Sequence, residues 1–184
     1  NFLDNSKYNQ KYFGDIYKSD KSIGTKFYKS YINSISKVLL KTGININTAP
    51  VLDLLKKNTH KVIGNRSYSS SPEIVNKLGS LCINFYKANK IATVVKHLPG
   101  HGGADSDSHF KLPKVNNSFR TLSKSDFKCF KNTSSLFGMT AHVLYTRIDK
   151  KNNATHSKTV IRKIIRQEIG FKGILISDDI SMKA

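Results

Sequence analysis

The sequence of 184 residues predicts an α/β fold with a parallel sheet, because helical and strand patterns alternate along its length. The helical segments are amphipathic, with apolar residues three and four positions apart. The strand segments are short apolar runs, which are typical of strands buried in a parallel sheet. Since no repeat, low-complexity tract or linker interrupts this alternation, we expect one domain.

The first predicted helix and strand are adjacent along the chain. Residues 31–41 carry aliphatic side chains at helical spacing, and Gly43 follows as a helix terminator. Residues 44–52 form an apolar run of strand length that ends at Asp53. The alternation therefore starts with a helix that leads into a strand with a carboxylate at its end.

The second predicted helix spans residues 72–89, because Pro72 suits a first helical turn and apolar residues recur at helical spacing. The β-branched run at residues 91–97 is typical of a buried parallel strand. It opens into a long loop over residues 98–114, which contains several glycines and histidines.

The remaining elements continue the alternation. A short helix around residues 123–130 precedes a strand near residues 136–145. A helix at residues 159–168 can be capped by Ser157. A last strand at residues 173–176 then runs into Ser177, Asp178 and Asp179.

Polar residues collect where the predicted strands end: Asp53, His97, the loop of residues 101–109, His142 and Asp178. Active sites of parallel barrels lie on the loops that follow the strands. Doubly wound open sheets also place their sites at strand ends, so this pattern alone leaves both architectures open. No GxGxxG or P-loop motif is present, which excludes the usual nucleotide-binding version.

The formal net charge of +19 suggests a nucleic-acid partner, but the distribution of basic residues argues against one. Nucleic-acid surfaces favour clustered arginine, whose guanidinium grips phosphates and guanine edges. Of the 31 basic residues only five are Arg, and the lysines are spread along the whole chain. We therefore expect no nucleic-acid partner, and interpret the excess of lysine as a composition bias.

The remaining composition indicates a cytoplasmic protein without a membrane segment. No apolar run approaches the roughly 18 residues that a membrane span needs, and the first 20 residues lack the apolar centre of a signal peptide. Cys82 and Cys129 are far apart and lack CxxC spacing, so we expect neither a disulfide nor a zinc knuckle.

The tract from Lys96 to Gly103 carries the strongest local signal. A strand delivers Lys96 and His97 to its end, and Pro99 with three glycines then shapes a loop whose backbone can approach a ligand closely. Charged and polar residues at the end of an apolar strand are costly unless a polar group meets them. This tract therefore indicates a binding or catalytic site.

Two further segments supply carboxylates. Asp107 lies two residues before His109, and an aspartate so placed can orient an imidazole and favour its cationic form. Asp178 and Asp179 follow the last strand, where alternating side chains should point in different directions, so only one should face the site. Asp179 fits the cap of a following helix better than Asp178 does.

A metal site is the alternative interpretation of the histidine-rich loop. Five residues could be read as its ligands: His97, His101, Asp105, Asp107 and His109. This interpretation leaves Asp178 unexplained, and the Pro–Gly break makes a rigid ligand geometry hard to argue. We expect no metal, although loops can still build such sites.

Several ordered blocks together resemble glycoside hydrolase family 3, and within it the bacterial β-N-acetylhexosaminidases of peptidoglycan recycling. The tract at residues 164–178 is similar to the family's active-site signature, and KHLPGHG at residues 96–102 resembles a subgroup motif in which phenylalanine usually stands at Leu98. The other matching blocks are DSH at 107–109, APVLD at 49–53, NRSY at 65–68 and TAHV at 140–143. Agreement of several ordered blocks is far more specific than any one motif.

The resemblance implies a (β/α)8 barrel and a role for each site residue. Asp178 would be the nucleophile of a retaining enzyme, and His109, held by Asp107, would be its acid/base. Arg66, Lys96 and His97 would hold sugar hydroxyls. Together with Asp178, His109 and Asp107, these three are the site residues that the resemblance implies. The implied substrates are small carbohydrates, peptidoglycan fragments in which N-acetylglucosamine is joined to an anhydromuramoyl residue, and no cofactor is implied.

The resemblance also implies that residues 1–184 are an incomplete barrel, part of a single family 3 catalytic domain. Only four clear strands are predicted where a barrel has eight, so we expect strands to be missing before the chain and the barrel's end to be missing after it. We also expect the isolated segment to be unstable and inactive. Two alternatives stay open: a non-catalytic remnant with a basic binding surface, or a family member acting on another sugar, such as a β-glucosidase.

Overall fold

A computed structural model describes residues 7–57, 59, 63–104, 106 and 111–182. The strands in these residues are β1 (Ile46–Asn47), β2 (Ala92–Leu98), β3 (Lys114–Val115), β4 (Phe137–Thr140), β5 (Leu144–Tyr145) and β6 (Ile174–Ser177). Four of them form one parallel sheet in the order β1-β2-β4-β6, and β3 pairs with β5 in a separate parallel pair. The α-helices are α1 (Gln10–Ser19), α2 (Lys21–Lys41), α3 (Pro72–Ala88) and α4 (Phe119–Lys124).

The strand order identifies the architecture. Each strand of the main sheet lies beside the next one along the chain, and helical segments connect them. A doubly wound sheet reverses its strand order at a switch point, whereas a barrel adds each new strand on the same side. In the described sheet each new strand is added on the same side, as in a barrel. The prediction of an incomplete (β/α)8 barrel is therefore confirmed.

The helical region before β1 is longer than the sequence pattern indicates. The predicted helix at residues 31–41 is the second half of α2, and α1 was not predicted. Asp20 joins the two helices, because its backbone N–H donates to Ile16 and its carboxylate caps Ile23 at 2.9 Å. Buried aromatic residues hold this polar segment against the core, and single-segment periodicity does not reveal such tertiary packing.

Two predicted strands prove shorter and interrupted. In the predicted strand at residues 44–52, β1 covers two residues and Val51 then pairs with Lys96 as an isolated bridge. The predicted strand at residues 136–145 divides into β4 and β5, and residues 141–143 between them are not in a strand. The second of these pieces joins the separate pair instead of continuing the main sheet.

The helices near the carboxyl end also differ in detail. The predicted helix at residues 123–130 is two pieces, α4 and a 3₁₀ turn at Phe127–Phe130. The predicted helix at residues 159–168 is a π-helix over Val160–Glu168, with Ile169 bonded to the carbonyl five residues back. The predicted cap is confirmed, since the Ser157 hydroxyl accepts from the N–H of Val160 at 3.1 Å.

The prediction of α3 is confirmed, with Ser71 as its cap and Pro72 in its first turn. A single buried core packs the helices against the main sheet, and Val95, Leu98 and Phe127 lie within it. Among the described residues, none of the helices combines the length and apolar character that crossing a membrane requires.

Candidate active site

The candidate site lies at the carboxyl end of the parallel sheet, where the predicted strand-end residues converge. The segment after β1 supplies Asp53, β2 supplies Lys96 and His97, and the residue after β6 is Asp178. Parallel strands bring their carboxyl ends to one edge of a sheet, so residues distant in sequence become neighbours there. The structure brings these four residues together at this edge.

Asp53 is the buried anchor of this edge. One carboxylate oxygen lies 2.6 Å from His97 Nδ1, and the other accepts backbone N–H groups of His97 at 3.3 Å and His101 at 2.6 Å. Burial raises the pKa of this carboxyl, but the imidazoles of His97 and His101 and these hydrogen bonds outweigh burial, so the pKa of Asp53 lies below its ordinary value. An ionised Asp53 accepts the Nδ1–H of His97 and leaves Nε2 directed to the site.

Asp178 lies on the opposite side of the imidazole. Its Oδ2 is 3.8 Å from His97 Nε2, and its side chain is 17% exposed, so it faces the open site. Asp179 points elsewhere, since its carboxylate accepts from the backbone and hydroxyl of Ser181. The expectation that only one of the paired aspartates faces the site therefore agrees with the structure.

Lys96 and Arg66 add positive charge to the same region. Burial and the neighbouring Arg66 guanidinium lower the pKa of Lys96, and they outweigh the carboxylates of Asp178 and Asp53, which raise it. Both cations line a cavity of about 310 Å³. Such donors suit the hydroxyl groups of a sugar, because ammonium and guanidinium groups offer several N–H donors each.

His142 links the loops after β4 and β6. Its Nδ1 lies 2.9 Å from the Thr155 hydroxyl, and its Nε2 lies 3.2 Å from the backbone carbonyl of Asp179. The imidazole therefore ties the segment that carries Asp178 to the neighbouring strand. His142 was predicted to lie at a strand end, but this positioning contact was not predicted.

The predicted acid/base pair, Asp107 and His109, lies outside the described residues, as does Asp105. These are three of the five residues in the alternative metal site. Among the residues that the structure describes, no group of three or more histidine, cysteine or acidic side chains is arranged to hold a metal ion. The role of Asp53 as partner of His97 was missed, although its position directly after a strand was a usable signal.

The assembled groups combine a carboxylate that can act as a nucleophile with cationic hydrogen-bond donors that can bind hydroxyl groups. Asp178 is a carboxylate at the site surface, which can act as a nucleophile. His97 lies next to it and is held by Asp53, and Lys96 is near enough for the Asp178 carboxylate to raise its pKa. Such fixed donors stabilise a reacting sugar more effectively than mobile ones.

Comparison with protein families gives one match that covers most of the chain. The model described as "Glycosyl hydrolase family 3 N terminal domain" matches residues 20–184. A β-hexosaminidase of Neisseria meningitidis serogroup C is 33% identical over 174 residues, covering 92% of this chain and 48% of that protein. A β-hexosaminidase of Shewanella frigidimarina is 35% identical over 177 residues, covering 92% and 51%.

Solved structures are similar in fold as well as in sequence. Native NagZ from Neisseria gonorrhoeae has a TM-score of 0.87 and 32% identity, with 95% of this chain and 52% of that chain covered. A family 3 β-N-acetylglucosaminidase from Paenibacillus sp. has a TM-score of 0.81 and 33% identity, with 86% and 31% covered. The chain thus spans about half, or less, of the length of these relatives.

Proposed function

The chain belongs to glycosyl hydrolase family 3, and on that premise we propose that it is part of a retaining β-N-acetylhexosaminidase. The enzyme would release terminal β-linked N-acetylglucosamine. One observation carries the proposal: Asp178 faces the imidazole of His97 across the strand ends, and the buried Asp53 holds that imidazole in place. Relatives that are β-hexosaminidases by name support the same sugar class.

The proposed reaction is a double displacement at the anomeric carbon. A carboxylate oxygen of Asp178 forms a bond to that carbon while the bond to the departing oxygen breaks, and His109, held by Asp107, donates the proton that the departing oxygen needs. Water then attacks the glycosyl ester, His109 takes its proton, and Asp178 leaves as a carboxylate. The roles of Asp107 and His109 rest on the sequence resemblance.

Binding would depend on the donors around the nucleophile. We assign Arg66, Lys96 and His97 to sugar hydroxyls, because Arg66 and Lys96 line one cavity and Lys96 and His97 lie near Asp178. The substrate class that fits the family resemblance is a small peptidoglycan fragment with N-acetylglucosamine at its non-reducing end. Hydrogen bonds to sugar hydroxyls that strengthen in the transition state contribute to catalysis as well as to binding.

We also propose that further strands complete the barrel in the whole protein. The two outer strands of the described sheet carry apolar side chains that are half exposed, Ile46 at 46% and Ile174 at 54%. Exposed strand edges invite pairing with another strand. The 184 residues are in this proposal part of one catalytic domain, and the activity belongs to the whole protein.

The proposal can be tested with the whole protein and an aryl N-acetyl-β-glucosaminide. We expect release of the aryl group by the wild type, and no turnover after Asp178→Asn, because an amide cannot form the glycosyl ester. His109→Ala should impair substrates with poor leaving groups most, since those depend on a proton donor.

The matched control is Asp179→Asn, which changes the neighbouring carboxylate that turns to Ser181. This variant should retain activity, although it shares the chain segment and the charge change. Equal rates in wild type and Asp178→Asn would refute the mechanism. Hydrolysis of the aryl β-glucoside in preference to the N-acetyl compound would instead favour a β-glucosidase.

A further inference from the structure

We infer that the ion pair between Lys56 and Asp126 is a latch that positions the glycine-rich loop, residues 99–104, against the strand ends. Neither partner is among the residues assigned to the reaction, and Lys56 and Asp126 would act as positioning residues. Its effect on catalysis rests on the proposed function, whereas its effect on the loop does not.

The first observation is the burial and geometry of the pair. Lys56 Nζ lies 2.5 Å from an Asp126 carboxylate oxygen, and the Asp126 side chain is only 1% exposed. Ser125 Oγ donates to the same oxygen at 2.7 Å. A buried carboxylate with two such donors is held firmly, and removal of its partner leaves a charge without compensation.

The second observation is that Asp126 is not used as a helix cap. It precedes the 3₁₀ turn Phe127–Phe130, where an aspartate would ordinarily accept from a backbone N–H. Its side chain makes no capping hydrogen bond and is directed to Lys56 instead. The local secondary structure therefore does not account for this buried charge.

The third observation is how closely both partners approach the loop. A Cβ added at Gly100 would lie 2.8 Å from Asp126 Cβ, and one added at Gly103 would lie 2.8 Å from Lys56 Nζ. Glycine at these positions thus lets the ion pair pack directly against the loop backbone.

Two hydroxyl groups extend the same support. Thr59 Oγ1 accepts from the N–H of Lys56 at 2.6 Å and donates to the carbonyl of Gly102 at 2.7 Å. The hydroxyl of the buried Tyr145 donates to the carbonyl of Gly100. Burial, together with the carboxylates of Asp126 and Asp53, raises the pKa of Tyr145, so this hydroxyl keeps its proton.

Asp53 adds a further contact to the same loop, because its carboxylate accepts from the N–H of His101. The loop continues in sequence to Asp107 and His109, the proposed acid/base pair. A loop held at several positions has a defined direction where it leaves the strand, and catalytic geometry is sensitive to displacements of about 1 Å. The latch therefore acts on the part of the reaction that needs the proton donor.

The direct test is amide hydrogen exchange at residues 100–104 of the whole protein. Asp126→Asn and Lys56→Met should each raise exchange there by about 10-fold or more, because each breaks the ion pair that supports the loop. The Lys56 side chain is 27% exposed, so Lys56→Met remains informative if Asp126→Asn does not fold. Unchanged exchange in a folded variant would overturn the latch.

The catalytic test compares kcat/KM for two N-acetyl-β-glucosaminides, one with an activated dinitrophenyl leaving group and one with a poor alkyl leaving group. Both variants should lose about 10-fold or more with the alkyl compound and much less with the activated one. Azide, which attacks without a general base, should partly restore kcat on the activated substrate.

The matched control is Glu73→Gln, which breaks an ion pair of Glu73 with Lys128 on the exposed face of the same 3₁₀ turn. It should change neither exchange at the loop nor leaving-group dependence. Equal losses on both substrates in the latch variants would overturn the positioning role. Absence of activity in the wild type would sink the proposed function, while the exchange result would still decide whether the latch holds the loop.

Discussion

Replacing Asp53 by asparagine separates the two tasks of this buried carboxylate. One oxygen accepts two backbone N–H groups, of His97 and His101, and the asparagine oxygen can keep this arrangement. The other oxygen accepts the Nδ1–H of His97 at 2.6 Å, and in Asp53→Asn an amide NH2 stands there. Two donors then face one another, so His97 must give up its Nδ1 proton or rotate.

The expected cost follows from these contacts. Hydrogen bonds to a charged group contribute about 1.5–3 kcal/mol, and removal of one partner from a buried charge pair costs about 3–5 kcal/mol. The second figure is an upper bound, because the asparagine oxygen can still accept the two backbone N–H groups. We therefore expect Asp53→Asn to lower the free energy of unfolding by about 2–3 kcal/mol at neutral pH.

The loss of unfolding free energy in Asp53→Asn should also depend on pH. The pKa of Asp53 lies below its ordinary value of 3.8 in the folded state. A carboxyl with a lowered pKa stabilises the fold above the unfolded pKa, and the contribution is lost as pH falls through the folded pKa. The difference between wild type and variant should stay constant from about pH 7 to 5 and shrink below about pH 4.

Urea unfolding of the whole protein, followed by circular dichroism, measures this difference. The control is Asp15→Asn, which breaks an exposed pair with Lys11 and should cost less than about 1 kcal/mol. A loss below about 0.5 kcal/mol for Asp53→Asn would refute the reasoning, because a buried charged bond cannot contribute so little. So would a difference that grows as the pH falls below 4.

Three other changes test separate parts of the structure. Gly102→Ala would place its Cβ 1.9 Å from the carbonyl oxygen of Leu54, whereas Gly103→Ala meets a side-chain end, Lys56 Nζ, at 2.8 Å. In thermal unfolding, Gly102→Ala should lower the free energy of unfolding by about 3 kcal/mol or more, clearly more than Gly103→Ala does. Equal losses in the two variants would contradict the close approach of Gly102 to the Leu54 backbone. Gln10→Met removes two hydrogen bonds, at 2.7 and 2.8 Å, that the Gln10 amide makes with the backbone carbonyl and N–H of Val51. It should lower the free energy of unfolding by about 1–2 kcal/mol in urea titration, and no measurable loss would contradict that role. The pKa of Lys96 is lowered, so KM should begin to rise with pH before the pH reaches the ordinary pKa of lysine. Lys96→Arg should remove this rise in KM, because arginine stays charged. A rise in KM that persists in Lys96→Arg would exclude Lys96 as its source.

The fold was predictable to the extent that it depends on local pattern. The helix α3 and the strand β2 have strong apolar periodicity, and their predicted bounds agree closely with the structure. The helix α1 was missed because many of its residues are polar, and its aromatic residues are buried against another element: the Phe13 ring packs on Tyr28 and Tyr31 of α2. Periodicity measures one segment at a time and does not show which element a helix face will meet.

The site was predictable where its residues end strands. Lys96, His97 and Asp178 each follow an apolar run, and parallel strands bring such positions to one edge. The pairing of Asp53 with His97 and of Lys56 with Asp126 was not predictable, since these contacts join residues 44 and 70 positions apart. No local pattern encodes which buried charges meet across a core.

The sequence alone determined that strands and helices alternate, that polar residues end the strands, and that the glycine-rich tract follows a buried strand. The tertiary structure decided which of those residues touch: it turned Asp178 to His97 and Asp179 to Ser181, and it set Asp126 beneath the glycine-rich loop. The physical reason is the distance along the chain over which each effect acts. Backbone preference and periodicity act over a few residues, whereas buried charges select partners only after the core has brought distant segments within hydrogen-bond distance.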